Sequence, residues 1–394
     1  MRSRRLSRGR RRTAIVTAAA ASVVAGVALV PNWSAGAAVT DDPTVDAATK
    51  ATFQKLADAV FTDRTQALVQ GAGKAETRHT SGFSGSVRLS GGQTREQKSA
   101  LDELRDRRGR LAGLGEKYRA GSTKVTLDAT RVKGRHAKVA VTEDTTLTYA
   151  AGTTAGGPRS TGFQAHHELS FTADRQGNWQ LTGIKDTDQG YLAVNQVAKP
   201  DVSGAKTAAE DDGPPSAARA ATTRPAPAAP KNFSATGYDY KAMVAYAQKY
   251  WNKYNPDYPD YSGHGSGGDC TNFVSQALKA GGWKHVPGYT YDFHKWFGNN
   301  EIQSDSFVGV NEFSWFALSS KRVTSLANVY QLDLGDVLQM DFNRDGSKDH
   351  SMIVTSRDSR GVPYVSYHST NTYNRSVASL VASYPNAAYY AYRT

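Results

Sequence analysis

The chain carries one cysteine, Cys270, in 394 residues. A single cysteine excludes an internal disulfide, so no cystine staple holds this fold. A lone thiol in an oxidising compartment is a liability unless it is used, although a buried cysteine also serves as a small core hydrophobe. Acidic residues are missing from residues 1–12, which hold seven arginines. The formal charge is +12, and those seven arginines account for most of it, leaving a mildly basic +5 beyond residue 37. Basic patches interleaved with aromatics are also missing, which excludes nucleic acid as the expected partner. No second long apolar run follows Ala14–Val30. Once that run is removed, no membrane attachment is expected.

What is present at the start reads as an address. An arginine-rich segment, an apolar run rich in alanine and the small-residue site Ala35-Gly36-Ala37 together describe a signal peptide over residues 1–37. The run is short and only weakly apolar for a membrane anchor. Ser3-Arg4-Arg5-Leu6 leaves general and twin-arginine export both open. The expected location is outside the cell, secreted or cell-wall associated.

Two units follow, both α+β. In 43–195, Phe53, Leu56, Val60 and Phe61 recur at helical spacing, and Leu101, Leu104 and Leu111 mark a second, very polar helix. The period then changes to two, giving strands over 123–132, 136–149, 162–173 and 179–187. This order resembles a cystatin-like wrap, a curved sheet folded round a helix. His166-His167-Glu168 lies in the third strand, where neighbours point to opposite faces, so it reads as polar strand rather than metal site. Residues 196–236, rich in Pro, Ala, Ser and Thr, read as an extended, mobile linker that separates two folding units. The second unit, 237–394, opens with a helix ended by Asn255-Pro256, and carries strands near 336–342, 351–356 and 364–368.

Chemistry concentrates in this second unit. Gly267-Gly268-Asp269-Cys270-Thr271-Asn272-Phe273-Val274 runs from a glycine loop into a helix. Asp269 is a good N-cap, which places Cys270 at the first helical position, where the helix dipole should lower its thiol pKa. A thiolate nucleophile needs a base. His350, in Asp349-His350-Ser351-Met352, stands at the mouth of an apolar strand and fits that role. The group that orients the base is His368, at the end of the next strand, with Asn371 as the competitor.

The segment GGDCTNFVSQAL, the preceding Asn255-Pro256, Asp349-His350-Ser351-Met352-Ile353-Val354 and Ser366-Tyr367-His368-Ser369-Thr370-Asn371 resemble the amidase domain of secreted bacterial proteins. That family is related in plan to NlpC-type and CHAP cysteine peptidases. The resemblance covers about 237–394. It implies a papain-like fold, cysteine-dependent amide hydrolysis and a peptide or peptidoglycan substrate.

Asp341, Asn343, Asp345 and Asp349 fall at the spacing of a calcium loop, but Met352 stands where its bidentate Glu belongs. A plain hairpin turning at Asp345-Gly346 competes with a structural Ca2+; no cofactor is required for the chemistry. The rival functional reading is a catalytically silent, wall-associated binding module. Oligomeric state is left open by the sequence.

Overall fold

A computed structural model describes residues 45–71, 79–152, 155–188, 193–197, 214, 217–262 and 268–394. The expected signal segment 1–37 and the glycines of 263–267 lie outside the described residues. The fold is mixed α+β around one large sheet.

In the first half, α1 (Ala47–Ala67) is followed by β1 (Val87–Leu89), α2 (Gly91–Gly113) and four longer strands. These are β2 (Tyr118–Lys133), β3 (His136–Tyr149), β4 (Ser160–Ala173) and β5 (Trp179–Asp186). Asp46 and Ser90 cap the two helices by accepting the Thr49 and Gln93 backbone N–H groups. Such caps satisfy donors that the first turn leaves without partners. The strands alternate inward and outward residues, as a sheet buried on one face requires. Their inner face closes on α1, with Phe53 stacked on Phe171 at 4.0 Å between ring centres.

In the second half, α3 (Tyr240–Tyr250), α4 (Cys270–Ala280), α5 (Asp305–Val308) and α6 (Val310–Ser319) come first. Then follow β6 (Thr324–Leu326), β7 (Val337–Asp341), β8 (His350–Arg357), β9 (Pro363–Tyr367), β10 (Asn371–Ser376), α7 (Val377–Ser383) and β11 (Ala388–Arg393). One face of these strands packs on α3, α4 and α6 through Met243, Phe273, Val274 and Phe313. The opposite face packs towards α2 and α7 through Leu104, Leu111, Val377 and Leu380.

The halves share that sheet. Its order is β1-β5-β4-β10-β9-β8-β7-β11-β6, with β3 on β4 and β2 on β3. The join is antiparallel, pairing Asn371, Thr372 and Tyr373 of β10 with Gln164, Phe163 and Gly162 of β4. Gly162 is needed here: a β-carbon on it would fall 2.5 Å from the Tyr373 ring and 2.8 Å from the Thr145 carbonyl oxygen.

The expected linker behaves differently over 217–236. Ala220 N–H donates to the Tyr389 carbonyl at 2.7 Å, and Ala221 bridges to Asn328. Asn328 and Gln331 amides donate to the carbonyls of Thr223 (2.9 Å) and Pro227 (3.1 Å). Lys231 is buried, donating to Asp336 at 2.6 Å and lying over the Tyr240 ring at 3.7 Å. A Pro/Ala-rich segment buries little apolar surface, but here its carbonyls are captured one by one, so it is extended and pinned rather than mobile. Residues 198–213 of the expected linker lie outside the described residues.

The first half encloses a polar core. His167 lies inside with Asp186 at 2.9 Å and Glu143 at 3.2 Å, and Phe61 stacks on its ring. Thr145 and Asn195 donate to the other Glu143 oxygen at 2.6 and 2.7 Å. Burial opposes a charge on His167, but the bonds to Asp186 and Glu143 outweigh it and raise its pKa to about 9. Its neighbour His166 points outward to Asp188 at 2.7 Å, as strand alternation expects.

Two outcomes are expected. The folded chain holds the His167 proton more tightly than an unfolded histidine, whose pKa is about 6.5. The stability this proton confers is therefore full below about pH 6.5 and lost as the pH rises through about 9. Melting curves across that range should fall in the native protein, and His167→Gln should flatten the trend and cost about 3 kcal/mol or more near neutral pH. Second, a protease site inserted within 198–213 and then cut should give two fragments that still co-elute on gel filtration. Separation without denaturant would show that the β4–β10 join does not hold the halves.

Candidate active site

Every residue of α4 from Cys270 to Leu278 is buried. Phe273, Val274 and Ala277 pack under β8 with Ile353, so tertiary packing rather than an exposed face fixes the helix. The cap expected of Asp269 is not made. Its backbone (φ −102°, ψ 8°) is not extended, and no side chain caps this helix start. The carboxylate turns sideways instead. One oxygen accepts from the Asn272 amide at 2.8 Å and the Tyr261 N–H at 3.2 Å; the other meets His368 Nδ1 at 2.6 Å. An uncapped helix start keeps its dipole and first-turn donors available for a developing anion.

Cys270 is only 2% exposed. Its sulfur lies 3.8 Å from Thr271 Oγ1. Burial pushes the thiol pKa up, and the Asp269 charge adds to this. The Ser351 and Thr271 backbone groups and the Thr271 hydroxyl pull the other way without prevailing. Burial of the thiolate thus works against the lowering expected from the helix dipole alone.

The two candidate histidines take opposite faces of the sheet. Ser351 Oγ meets Thr271 Oγ1 at 2.9 Å, and Ile353 packs with Phe273, so these alternate residues of β8 face α4. His350, Met352 and Val354 face the other way. The His350 ring stands edge-on to Tyr367 at 4.9 Å. Burial, with the Arg375 charge, lowers its pKa to about 3. A thiol–imidazole pairing of Cys270 with His350 is not formed in this structure.

His368 is on the Cys270 side. Besides Asp269, its Nε2 donates to the Tyr250 carbonyl at 2.7 Å. Phe273 stacks on its ring at 4.2 Å, and Tyr254 tilts against it at 4.5 Å. Asn371 joins the same group, its Oδ1 accepting from the Tyr254 hydroxyl at 3.2 Å. The Asp269 N–H donates to Ser369 Oγ at 3.2 Å, and Ser369 and Thr370 hold positive φ of 63° and 71°. That strained corner turns the chain from β9 into β10 and brings His368 and Asn371 to the start of α4.

The structure brings His368 to Asp269 and Asn371 to Tyr254 near the start of α4, and turns the His350 ring to the other face of β8; among the described residues neither histidine hydrogen-bonds the Cys270 sulfur. Sequence reasoning missed Asp269 as the partner of His368, although its place beside the thiol was visible. It also missed Tyr254 and the Tyr250 carbonyl, for which the sequence held no signal. Of the residues at calcium-loop spacing, Asp341 ends β7 and Asn343, Asp345 and Asp349 lie in the loop leading to His350 at the start of β8.

Two Bacillus subtilis (strain 168) proteins, both titled uncharacterized, are similar. YhbB is 34% identical over 131 residues, 32% of this chain and 40% of YhbB. YjcM is 36% identical over 151 residues, 36% of this chain and 33% of YjcM. The chain therefore spans less than half the length of either relative. A solved structure, the intermembrane space region of chloroplast protein ARC6, aligns with 35% of this chain and 95% of that one. Its TM-score is 0.22 at 16% identity, too slight a likeness to assign a fold. Residues 237–392, which contain Cys270, His350, His368 and Asn371, match the family described as "Putative amidase domain", and amide hydrolysis is the activity that match supports.

Proposed function

We propose that residues 237–394 form a papain-like, cysteine-dependent amide hydrolase that acts outside the cell on peptidoglycan stem peptides or a similar amide. The observation that carries this reading is the start of α4: a thiol at an uncapped helix end, with Asp269 beside it holding His368 on the same side.

Chemically, His368 gives up its Nε2 proton to solvent as the ring leaves the Tyr250 carbonyl, and Nε2 then takes the Cys270 thiol proton while Asp269 fixes the ring through Nδ1. The thiolate attacks the amide carbonyl. The Cys270 backbone N–H and the helix dipole stabilise the oxyanion that forms. The imidazolium then protonates the departing amine, leaving a thioester, which water hydrolyses with the same histidine as base. This moves the base role from His350 to His368 and the orienting role to Asp269; Asn371, through Tyr254, supports the wall of the site. A second reading keeps His350 as the base, because Ser351, one residue on, reaches the sulfur through its backbone.

Purified protein incubated with peptidoglycan should release new amine and carboxyl ends identifiable by mass spectrometry. Cys270→Ser should lower that rate by about a thousandfold or more while the melting curve holds. His368→Ala should lower kcat by about two to four orders of magnitude and slow iodoacetamide labelling of Cys270 at neutral pH. Asn371→Ala should cost roughly tenfold or less, and His350→Gln should leave labelling near its native rate. Labelling that survives His368→Ala but collapses in His350→Gln returns the base role to His350. Full activity in Cys270→Ser removes Cys270 as the nucleophile, whereas native protein that releases no new ends favours a binding module.

A further inference from the structure

The geometry points to a structural calcium site in the β7–β8 loop, formed by Asp341, Asn343, Asp345, the Ser347 carbonyl and Asp349. Asp341 carries the argument. It ends β7 fully buried, at 0% exposure. Its Oδ2 accepts the Gly346 N–H at 3.0 Å, which turns the carboxylate into the loop. Its Oδ1 has no hydrogen-bond partner among the described residues. A buried carboxylate oxygen without a donor is costly, and a cation is the natural remedy.

The obvious internal cation does not supply it. Lys348 is buried beside the loop and feels the Asp341 charge, but its ammonium lies over the Tyr390 ring at 4.7 Å, and no salt bridge or hydrogen bond joins it to Asp341 among the described residues.

Around Asp341 the donors are all oxygen, at alternate positions of a tight loop. Gly346, with φ at 95°, makes the turn that such a loop requires at its sixth position. Asp349 closes the far end, its Oδ2 accepting the Phe342 N–H at 2.8 Å. Asn343 and Asp345 bond to each other at 3.1 Å. As they stand, no three acidic, His or Cys side chains among the described residues are close enough to grip an ion. The site therefore closes on its ion: Asn343 and Asp345 exchange their mutual bond for the metal, and water fills the place where the loop has Met352 rather than a Glu. Three carboxylates, a carbonyl and an amide oxygen on a pliable loop suit Ca2+ better than the smaller, strictly octahedral Mg2+. Closure would fix the entry into His350 and Ser351, and so the strand end that meets the Cys270 sulfur.

The test uses the full chain, stripped with chelator and remelted with 1 mM Ca2+ or 1 mM Mg2+. Calcium should raise Tm by roughly 3 °C or more through mass action, with magnesium much weaker, and titration calorimetry should count one ion per chain. Asp345→Ser should keep the ion-free Tm within about 1 °C and lose the calcium response. If that variant fails to fold, Asn343→Ala is expected to weaken binding by about tenfold or more. A flat response in the native protein, or an undiminished one in the folded variant, overturns the site and leaves the plain hairpin. Neither result depends on whether Cys270 is a nucleophile.

Discussion

Three residues of β4, Gly162 to Gln164, carry the second half of this protein on the first. Without a side chain at Gly162, Tyr373 lies flat across the strand and β10 comes within pairing distance. Two further bonds guard the join: Thr161 Oγ1 donates to the Tyr373 carbonyl at 2.8 Å, and the Tyr149 hydroxyl donates to the Asn374 carbonyl at 2.8 Å. Asn371 sits at the end of this seam, so the position of one candidate site residue depends on a strand more than two hundred residues earlier. The first half is thus part of the scaffold of the site and not merely its carrier.

Within the second half, the sheet separates two environments. On the α4 face, hydroxyls, an amide and a carboxylate surround Cys270 and His368. On the other face, His350 is enclosed by Tyr367 and aliphatic side chains, beside a buried guanidinium, all of which favour the neutral ring. One imidazole is wired to a carboxylate and one is desolvated. That contrast, rather than distance alone, is what gives the two histidines different chemistry.

Much of this was legible in the sequence. The long strands β2 to β5 announced themselves through alternation, and α4 through its glycine approach and apolar stripe. The face of His350 was not legible. β8 is buried on both sides, and each face mixes polar with apolar residues, Ser351, Ile353 and Thr355 on one and His350, Met352 and Val354 on the other, so the strand does not declare its parity. β10, Asn371-Thr372-Tyr373-Asn374-Arg375-Ser376, has a loop's composition and is a strand only because β4 and β9 flank it. Composition marked 217–236 as a linker. It could not reveal that Asn328 and Gln331, a hundred residues on, would supply donors for its carbonyls.

The burial of Lys231 has a consequence for how this half could be inherited or transplanted. Its ammonium neutralises Asp336, a fully buried carboxylate, and also donates to the Leu334 carbonyl and Thr394 Oγ1. The stretch recognised by family resemblance begins only at residue 237. The unit of homology is therefore smaller than the unit of charge balance. A gene fusion made at the homology boundary would remove the nearer of two counter-charges of this sealed carboxylate and leave it to Arg393, whose Nε lies 3.1 Å from the other oxygen. Recombination that respects the fold must carry the proline-rich approach along with the domain it serves.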